Sequence, residues 1–343
     1  MSLEEVGRRS APTLEAVAAV AGVSRSTVSR VVNGSKQVKP DVAAAVLAVI
    51  ESLHYVPNQA ARSLANRRSM AIALVVPEDS ARFFGDPYFA SIVEGIISEL
   101  DKSDYVLVLQ LARSSANADN TIRYLLGGNV DGALVVSQHS RDNPLSLALL
   151  GGSLPVVFNG RPLRETEPPS YFVDVDNTAA AEVATNHLIA IGRRRIATIA
   201  GPADMAPGVD RTAGWRKALE EAGLATDLVV SADFSQAGGA SAMRELLERD
   251  PGLDGIFVAS DLMATGAMSV LLARNIAVPA AVAVVGFDDS AAATSTDIQL
   301  TTMRQPSVQT GAMMAQMVLA LLRGDDIEHQ RILPTELIVR DSA

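Results

Sequence analysis

The 343-residue chain contains no cysteine. Disulfides, thiolate metal sites and cysteine nucleophiles are thereby excluded. Aromatic residues are scarce at 4%, so a core has to rest on Ala, Val, Leu and Ile, within a hydrophobic content of 48%. No apolar run approaches the roughly 18 uncharged residues of a membrane-spanning helix. The opening MSLEEVGRRSAPT has acids and no apolar stretch of the kind a secretory leader needs, which predicts a cytoplasmic protein with no membrane partner. His54, His139, His187 and His329 show no metal-ligand spacing, and no cofactor is expected. Also missing are a G-x-G-x-x-G after a strand, a G-x-x-x-x-G-K-[ST] loop and a G-x-S-x-G elbow, which argues against an enzyme.

Positive charge is short overall, with a net of −10, but unevenly placed. Residues 1–69 carry nine Lys/Arg against five Asp/Glu, a net of +4; the other 274 carry twenty against thirty-four, a net of −14. A small basic head on a large acidic body is the charge footprint of nucleic-acid binding confined to one module.

Residues 13–53 read as three short helices. Thr13 can cap the first, Gly22 breaks it, and Ser24 can cap the second, whose Val28, Val31 and Val32 face inward. Pro40 suits the first turn of a third helix, with Val42, Val46, Val49, Ile50 and Leu53 apolar. A fourth segment, Asn58–Asn66, has few apolar residues and is too short to be a stable helix alone. From Met70 the texture changes. AIALVV, YVLVLQL, GALVV, PVVFN, RIATIAG, DLVVS, GIFVA and AVAVVGF alternate with helical stretches at Tyr88–Leu100, Ala116–Leu126, Thr178–Ile191, Gly208–Glu221, Ala237–Leu247 and Leu262–Ala273. Such alternation implies parallel sheets covered by helices, here as two doubly wound lobes with a ligand cleft at the carboxyl ends of their strands.

The segment TLEAVAAVAGVSRSTVSRVVNG fits a helix-turn-helix. Ala18 is small where two helices cross, Gly22-Val23 supply the turn, and Arg25, Ser26, Ser29 and Arg30 give the second helix a polar face for the major groove. Arginine can bond guanine in bidentate fashion, and hydroxyls can reach phosphates. An ordinary helical hairpin with a solvated face is the competing reading.

That segment, followed by LHYVPNQAARSLA, resembles the head of the LacI/GalR family of bacterial repressors. The resemblance continues through PYFASIVEGI, HLIAIGRRRIATIAG, DRTAGWRKAL, VASDLMATGAM, VAVVGFDD and LTTMRQP, in that family's order and over nearly the whole chain. It implies a small all-α helix-turn-helix head and an α/β bilobal, periplasmic-binding-protein-like body of two doubly wound parallel sheets. The head is expected over 11–57, a hinge helix and linker over 58–69, and an effector-binding and dimerisation domain over 70–343. Its first lobe is expected near 70–161 plus 305–330 and its second near 162–304 plus 331–340.

By that resemblance Arg25 and Ser26 select operator bases and Arg30 contacts a base. Thr13, Ser24, Thr27, Ser29, Asn33 and Tyr55 contact or orient towards phosphates. Asn58 starts the hinge helix, and Ala61 and Leu64 face the minor groove, where an apolar wedge trades unstacking for a bent site. Helix 3 departs from the pattern: Val42 and Ala43 stand where the family usually has a threonine and arginines.

In the body, Tyr88, Phe89, Asn159, Arg211, Phe234, Ser260 and Asp288 are the expected effector contacts. Ser260 stands where many relatives have Asn, and Gly160 where some have an acid. Tyr88 and Phe89 as core, and Arg211 with Asp288 as a structural ion pair, are the competing readings. Trp215 reads as packing, and Arg193-Arg194-Arg195 as a solvated turn. The expected partners are a palindromic double-stranded DNA operator, a sugar-like small molecule and a second copy in a homodimer, for which Leu262–Leu272 is the expected surface. LPTELIVRDSA ends the chain without the leucine heptads of the family's tetramers. The competing functions are a purine-type corepressor-dependent regulator and, in another class, a solute-binding protein.

Overall fold

The computed structural model describes residues 12–32, 37–55, 68–112, 115–137, 139, 144–163 and 169–343. The chain divides into two compact units, Met1–Ser69 and Met70–Ala343. Asn33, Asn58, Ala61 and Leu64, and with them the expected hinge helix, lie outside the described residues.

In the first unit, α1 (Leu14–Ala21), α2 (Arg25–Val32) and α3 (Pro40–Ser52) pack on one another. Thr13 caps α1 by accepting the Ala16 N–H at 3.3 Å, and Gly22 ends the helix at φ 66°, where a side chain would be strained. Val17, Val28 and Val46, one from each helix, are fully buried and meet at the centre with Ala18 and Tyr55. A core this small leaves little margin, so each of these valines weighs heavily in the head's stability.

The second unit contains two six-stranded sheets. β1 (Ala71–Val76), β2 (Val106–Leu111), β3 (Gly132–Val135), β4 (Val156–Asn159), β5 (Tyr171–Val175) and β11 (Gln330–Leu333) form the first, in the order β11-β5-β4-β3-β1-β2, all parallel. β6 (Ile196–Ala200), β7 (Val229–Ser231), β8 (Gly255–Val258), β9 (Ala283–Asp288), β10 (Thr301–Arg304) and β12 (Glu336–Ile338) form the second, in the order β12-β10-β9-β8-β6-β7. Only β12 runs antiparallel there, so the second sheet is mixed at one edge. Each sheet reverses direction between its first and third strands, β1/β3 and β6/β8, which opens a crevice at their carboxyl ends. AIALVV is buried on both faces, as a central parallel strand must be.

Two features depart from the sequence reading. YFVDV is a strand of the first sheet, so the first lobe runs on through Val175 rather than ending near 161. QRIL likewise pairs with β5, so the first lobe also takes back 331–333 from the second. Both strands border the chain's crossings between lobes, where no long apolar run marks them. Leu262–Leu272, the expected dimer surface, is a helix of the second lobe packed along most of its length on that lobe, with Ser269 and Leu272 exposed. Exposed large apolar residues cluster more on the first lobe, at Phe84, Ile97, Val106, Leu109 and Val308.

The covering helices are α4 (Ser80–Gly85), α5 (Pro87–Leu100), α6 (Ser115–Tyr124), α7 (Pro144–Leu150), α8 (Asn177–Ala190), α9 (Ala206–Glu221), α10 (Gln236–Arg249), α11 (Asp261–Ala273) and α12 (Ser307–Arg323). Three pairs cross backbone to backbone, and glycine makes each crossing possible. A Cβ on Gly95 of α5 lies 1.9 Å from the Val308 carbonyl, and one on Gly311 of α12 lies 2.1 Å from that of Ile92. Gly239 and Gly266 join α10 to α11 in the same reciprocal way, and Gly214 of α9 rests against the Thr178 carbonyl of α8 at 2.1 Å. Trp215, next along, is fully buried in the core as expected.

The arginine triplet is structural but not idle. Arg195 bonds Asp227 and Asp250, and Arg193 donates to the carbonyls of Pro279 and Ala280. Gly214→Ala forces α8 and α9 apart. It is expected to lower stability by about 1–3 kcal/mol, the usual cost of overpacking. A melting temperature equal to the parent's would mean the two helices yield freely.

Candidate functional sites

The polar face of α2 in the head is built by a local hydroxyl network. Ser24 Oγ accepts the Thr27 N–H at 3.1 Å and shares hydrogen bonds with Ser26 Oγ at 2.8 Å and Thr27 Oγ1 at 2.9 Å. Val28 anchors the opposite face, which turns Arg25, Ser26 and Arg30 outward, all exposed; Thr27 and Ser29 are half-buried. Arg25 pairs with Glu15 at 3.1 Å, but both side chains are mostly exposed. Such a pair is worth only about 0–1 kcal/mol and is readily exchanged for another anion. Tyr55 is 7% exposed within the head core, so its ring serves packing first.

In the body, the seven residues expected to contact an effector all line one cleft between the two sheets. It encloses about 880 Å³ of atom-free space, open solvent at its mouth included. Each residue comes from the carboxyl end of a strand or the start of the helix that follows. Tyr88 and Phe89 open α5, Asn159 ends β4, Arg211 lies on α9, Phe234 follows β7, Ser260 follows β8, and Asp288 ends β9.

Arg211 is the buried centre of the cleft. Its Nε donates to Asn177 Oδ1 at 2.8 Å and its Nη1 to the Ala259 carbonyl at 2.6 Å. Asp288 Oδ1 lies 3.7 Å from Nη1, and the guanidinium carbon stands 3.6 Å from the Phe287 ring centroid. Burial pulls the Arg211 pKa down, and the Asp288 carboxylate opposes that. Burial pushes the Asp288 carboxyl well above its ordinary range despite Arg211. Asp288 also accepts a hydrogen bond from Gln305 Nε2. The pair is thus tied into the structure from both sides.

Asp288 and Asp289 both have positive φ, 119° and 55°, a strained conformation for residues other than glycine. The turn sends the two carboxylates apart. Asp288 faces the cleft, while Asp289 is held by Arg304 at 2.7 Å and Arg340 at 2.5 Å. Nearby, Asp261 accepts from Thr302 Oγ1 and the Ser290 N–H at 2.5 and 2.8 Å, and burial pushes its carboxyl up to about 7.

On the first lobe, the Tyr88 hydroxyl donates to Asn159 Oδ1 at 2.7 Å, and burial raises the phenol's pKa, which keeps it a donor. Phe89 is 2% exposed and belongs largely to the core, though it also lines the cleft. Phe234, at φ 62°, brings the tip of its ring onto Gly201, where a Cβ falls 2.3 Å from Cζ. Ser260 caps α11 by accepting the Met263 N–H at 3.3 Å, so its hydroxyl is partly committed.

Several lining residues escaped the sequence reading: Arg82, Asp86, Arg161, Asp174, Asn177 and Gln305. Asp86 caps α5, accepting the Tyr88 N–H at 3.0 Å, and the D-P-Y pattern of acid before Pro at a helix start was its signal. Asp174 sits on β5, a strand the reading missed. Gln305 lies inside the segment LTTMRQP, in which it was not singled out as a cleft residue.

Three ties join the lobes. Arg161 grips Asp210 in bidentate fashion at 2.9 and 2.5 Å, His139 bonds Asp204 at 3.1 Å, and Arg82 donates to the Asp233 carbonyl. Arg82 also lies 3.3 Å from Glu78, which His139 contacts at 2.9 Å. The hydrogen bond to Glu78 raises the His139 pKa. No group of His, Asp and Glu fit to hold a metal ion occurs among the described residues, and none of their helices is long and apolar enough to cross a membrane.

Residues 13–58 match the bacterial regulatory proteins of the lacI family, and residues 185–343 match the periplasmic binding protein-like domain. The chain is 46% identical to the HTH-type transcriptional regulator CelR of Thermobifida fusca, over 98% of this chain and 99% of that one. A solved CelR–cellobiose complex superposes with a TM-score of 0.78 at 44% identity, covering 97% of this chain and 100% of that one. The lac repressor dimer bound to operator and the anti-inducer ONPF superposes at 0.85 with 26% identity, covering 96% and 98%.

Arg211→Met removes the donor to Asn177 and Ala259 and strands Asp288. Breaking a buried pair from one side typically costs about 3–5 kcal/mol. Urea unfolding of the full chain is the check; a loss below about 1 kcal/mol would mean the guanidinium is free for ligand alone.

Proposed function

The chain belongs to the lacI family of bacterial regulatory proteins, DNA-binding transcription regulators rather than enzymes, and on that premise we propose that a homodimer represses transcription from a palindromic operator and is released by a saccharide of the cellobiose kind. The observation that carries the effector half is the cleft itself. Donors and acceptors for hydroxyls (Tyr88 with Asn159, Arg211, Asp288) stand beside the apolar ring of Phe234, which is the lining a sugar needs. A purine would favour flat aromatic stacking from two sides, whereas Phe89 is 2% exposed and has little ring to offer. CelR, at 46% identity, has been solved with cellobiose, which supports the same ligand class here.

The coupling follows from topology. The head's linker enters the first lobe at β1, where the Met70 N–H is fixed to Asp131 at 3.0 Å. A ligand that draws the lobes together alters the first lobe's placement against its dimer mate, and with it the spacing of two linked heads. It acts only through its preference for one arrangement, typically worth about 1–3 kcal/mol.

Arg25, Ser26 and Arg30 are the base-reading set. Arg30→Ala is expected to cost about 1–3 kcal/mol of specific binding; equal losses on operator and random DNA would reduce Arg30 to a phosphate contact. For the effector, calorimetry and operator titration on Asp288→Ala are decisive. The variant should lose saccharide binding and response while holding operator as the parent does. Unchanged saccharide affinity would show that the cleft residues are misassigned.

A further inference from the structure

Among the described residues, the charges lining the cleft do not balance. Three arginines of that lining are described, and two are already matched. Arg161 is paired with Asp210 across the lobes, and Arg82 lies against Glu78 and donates to the Asp233 carbonyl. The third described cation, Arg211, acts on three carboxylates of the lining, Asp86, Asp174 and Asp288. Each of these is fixed by the fold. Asp86 caps α5; Asp174 accepts the N–H groups of Arg161 and Val175, both at 2.8 Å, and the Asn177 amide at 3.0 Å; Asp288 accepts from Gln305. None can swing away from a ligand without giving up a backbone or amide donor. Gly160, at φ 81°, has no side chain to screen Asp174: even a Cβ there stands 3.9 Å from its Oδ2.

We propose that Asp86 and Asp174, with Asp288, make the cleft selective for an uncharged saccharide and exclude its phosphorylated form. The inference rests on the saccharide reading above and goes beyond it, because it assigns two further residues to specificity and names what they reject. A phosphate monoester brought into this lining adds negative charge beside carboxylates in a poorly solvated site, where repulsion is little screened.

A place in metabolism follows from the chemistry. The regulator reads the sugar as glycoside hydrolysis or unmodified uptake delivers it. The signal ends when a kinase acts: the phosphoryl group of a nucleoside triphosphate passes to a sugar hydroxyl, which gives up its proton, leaving a phosphate monoester and a nucleoside diphosphate. Uptake that phosphorylates the sugar on entry would not produce the signal.

Calorimetry on the full chain, with cellobiose, glucose, cellobiose 6′-phosphate and glucose 6-phosphate, tests this. The parent is expected to bind a neutral saccharide at least 100-fold more tightly than its phosphate. Asp86→Asn and Asp174→Asn keep an acceptor for the helix cap and for the Arg161 N–H, and each should narrow that ratio about tenfold. Equal affinity for neutral and phosphorylated forms overturns the proposal, as does a ratio that neither variant changes, and as does binding of a sugar phosphate alone. If neutral saccharides bind and phosphates do not, but both variants keep the ratio, the saccharide reading survives and the role of the two aspartates does not. If none of the four sugars binds, the saccharide reading falls and takes this inference with it.

Discussion

A guanidinium deprived of water is the constraint around which the body is arranged. Arg211 is 5% exposed, and an unpaired charge in that position costs several kcal/mol. Its partners therefore have to arrive together from separate parts of the chain: Asn177 from the crossing after β5, the Ala259 carbonyl from the end of β8, Asp288 and the Phe287 ring from the end of β9. Satisfying one side chain thus sets the heights of two strand ends and one inter-lobe crossing. Arg211, Asn177 and Asp288 also line the cleft, so the residue that organises the fold stands where the proposed ligand would lie. Structural ion pair and ligand contact, posed as alternatives from sequence, are therefore compatible in one geometry.

Glycine performs the complementary task on the outside of the sheets. In an Ala-rich chain with few aromatics, helices gain packing contacts by close approach rather than by large interlocking side chains. Gly95 with Gly311, and Gly239 with Gly266, let paired helices meet at van der Waals distance, and Gly214 does so for α8 and α9. The glycines are costly to helix propensity, by about 0.8–1 kcal/mol each, yet they fix the rotation of α9 and α11. Arg211 lies one turn from Gly214 on α9, and Ser260 caps α11, so the precision of the cleft traces back to these backbone contacts.

Much of this was legible in the sequence because it is periodic or locally signalled. The head's three helices have caps and breakers at Thr13, Gly22, Ser24 and Pro40, and the central strands are continuous apolar runs. The lobe boundary was not legible. β11 is half polar and joins the first sheet through β5, far away in sequence, and β5 follows the irregular stretch near Arg161–Ser170 with an aspartate in its run, so composition marks neither as a strand. Missing β5 meant missing Asp174 and Asn177 with it.

The inter-lobe ties explain how so small a ligand can matter. Arg161 with Asp210, His139 with Asp204 and Arg82 with the Asp233 carbonyl hold the lobes together without any ligand. The Arg161 and Asp204 side chains remain 40% and 51% exposed, and ion pairs so placed contribute only about 0–1 kcal/mol each. Closure is therefore close to balanced against opening, where a bound molecule with a preference of a few kcal/mol changes populations most. A cleft locked by buried pairs would be closed regardless of ligand, and one with no ties would have to spend ligand affinity on ordering the lobes. Surface-weak ties around a strongly held Arg211 give the body a rigid floor and a yielding rim, which is the combination that a ligand-controlled regulator requires.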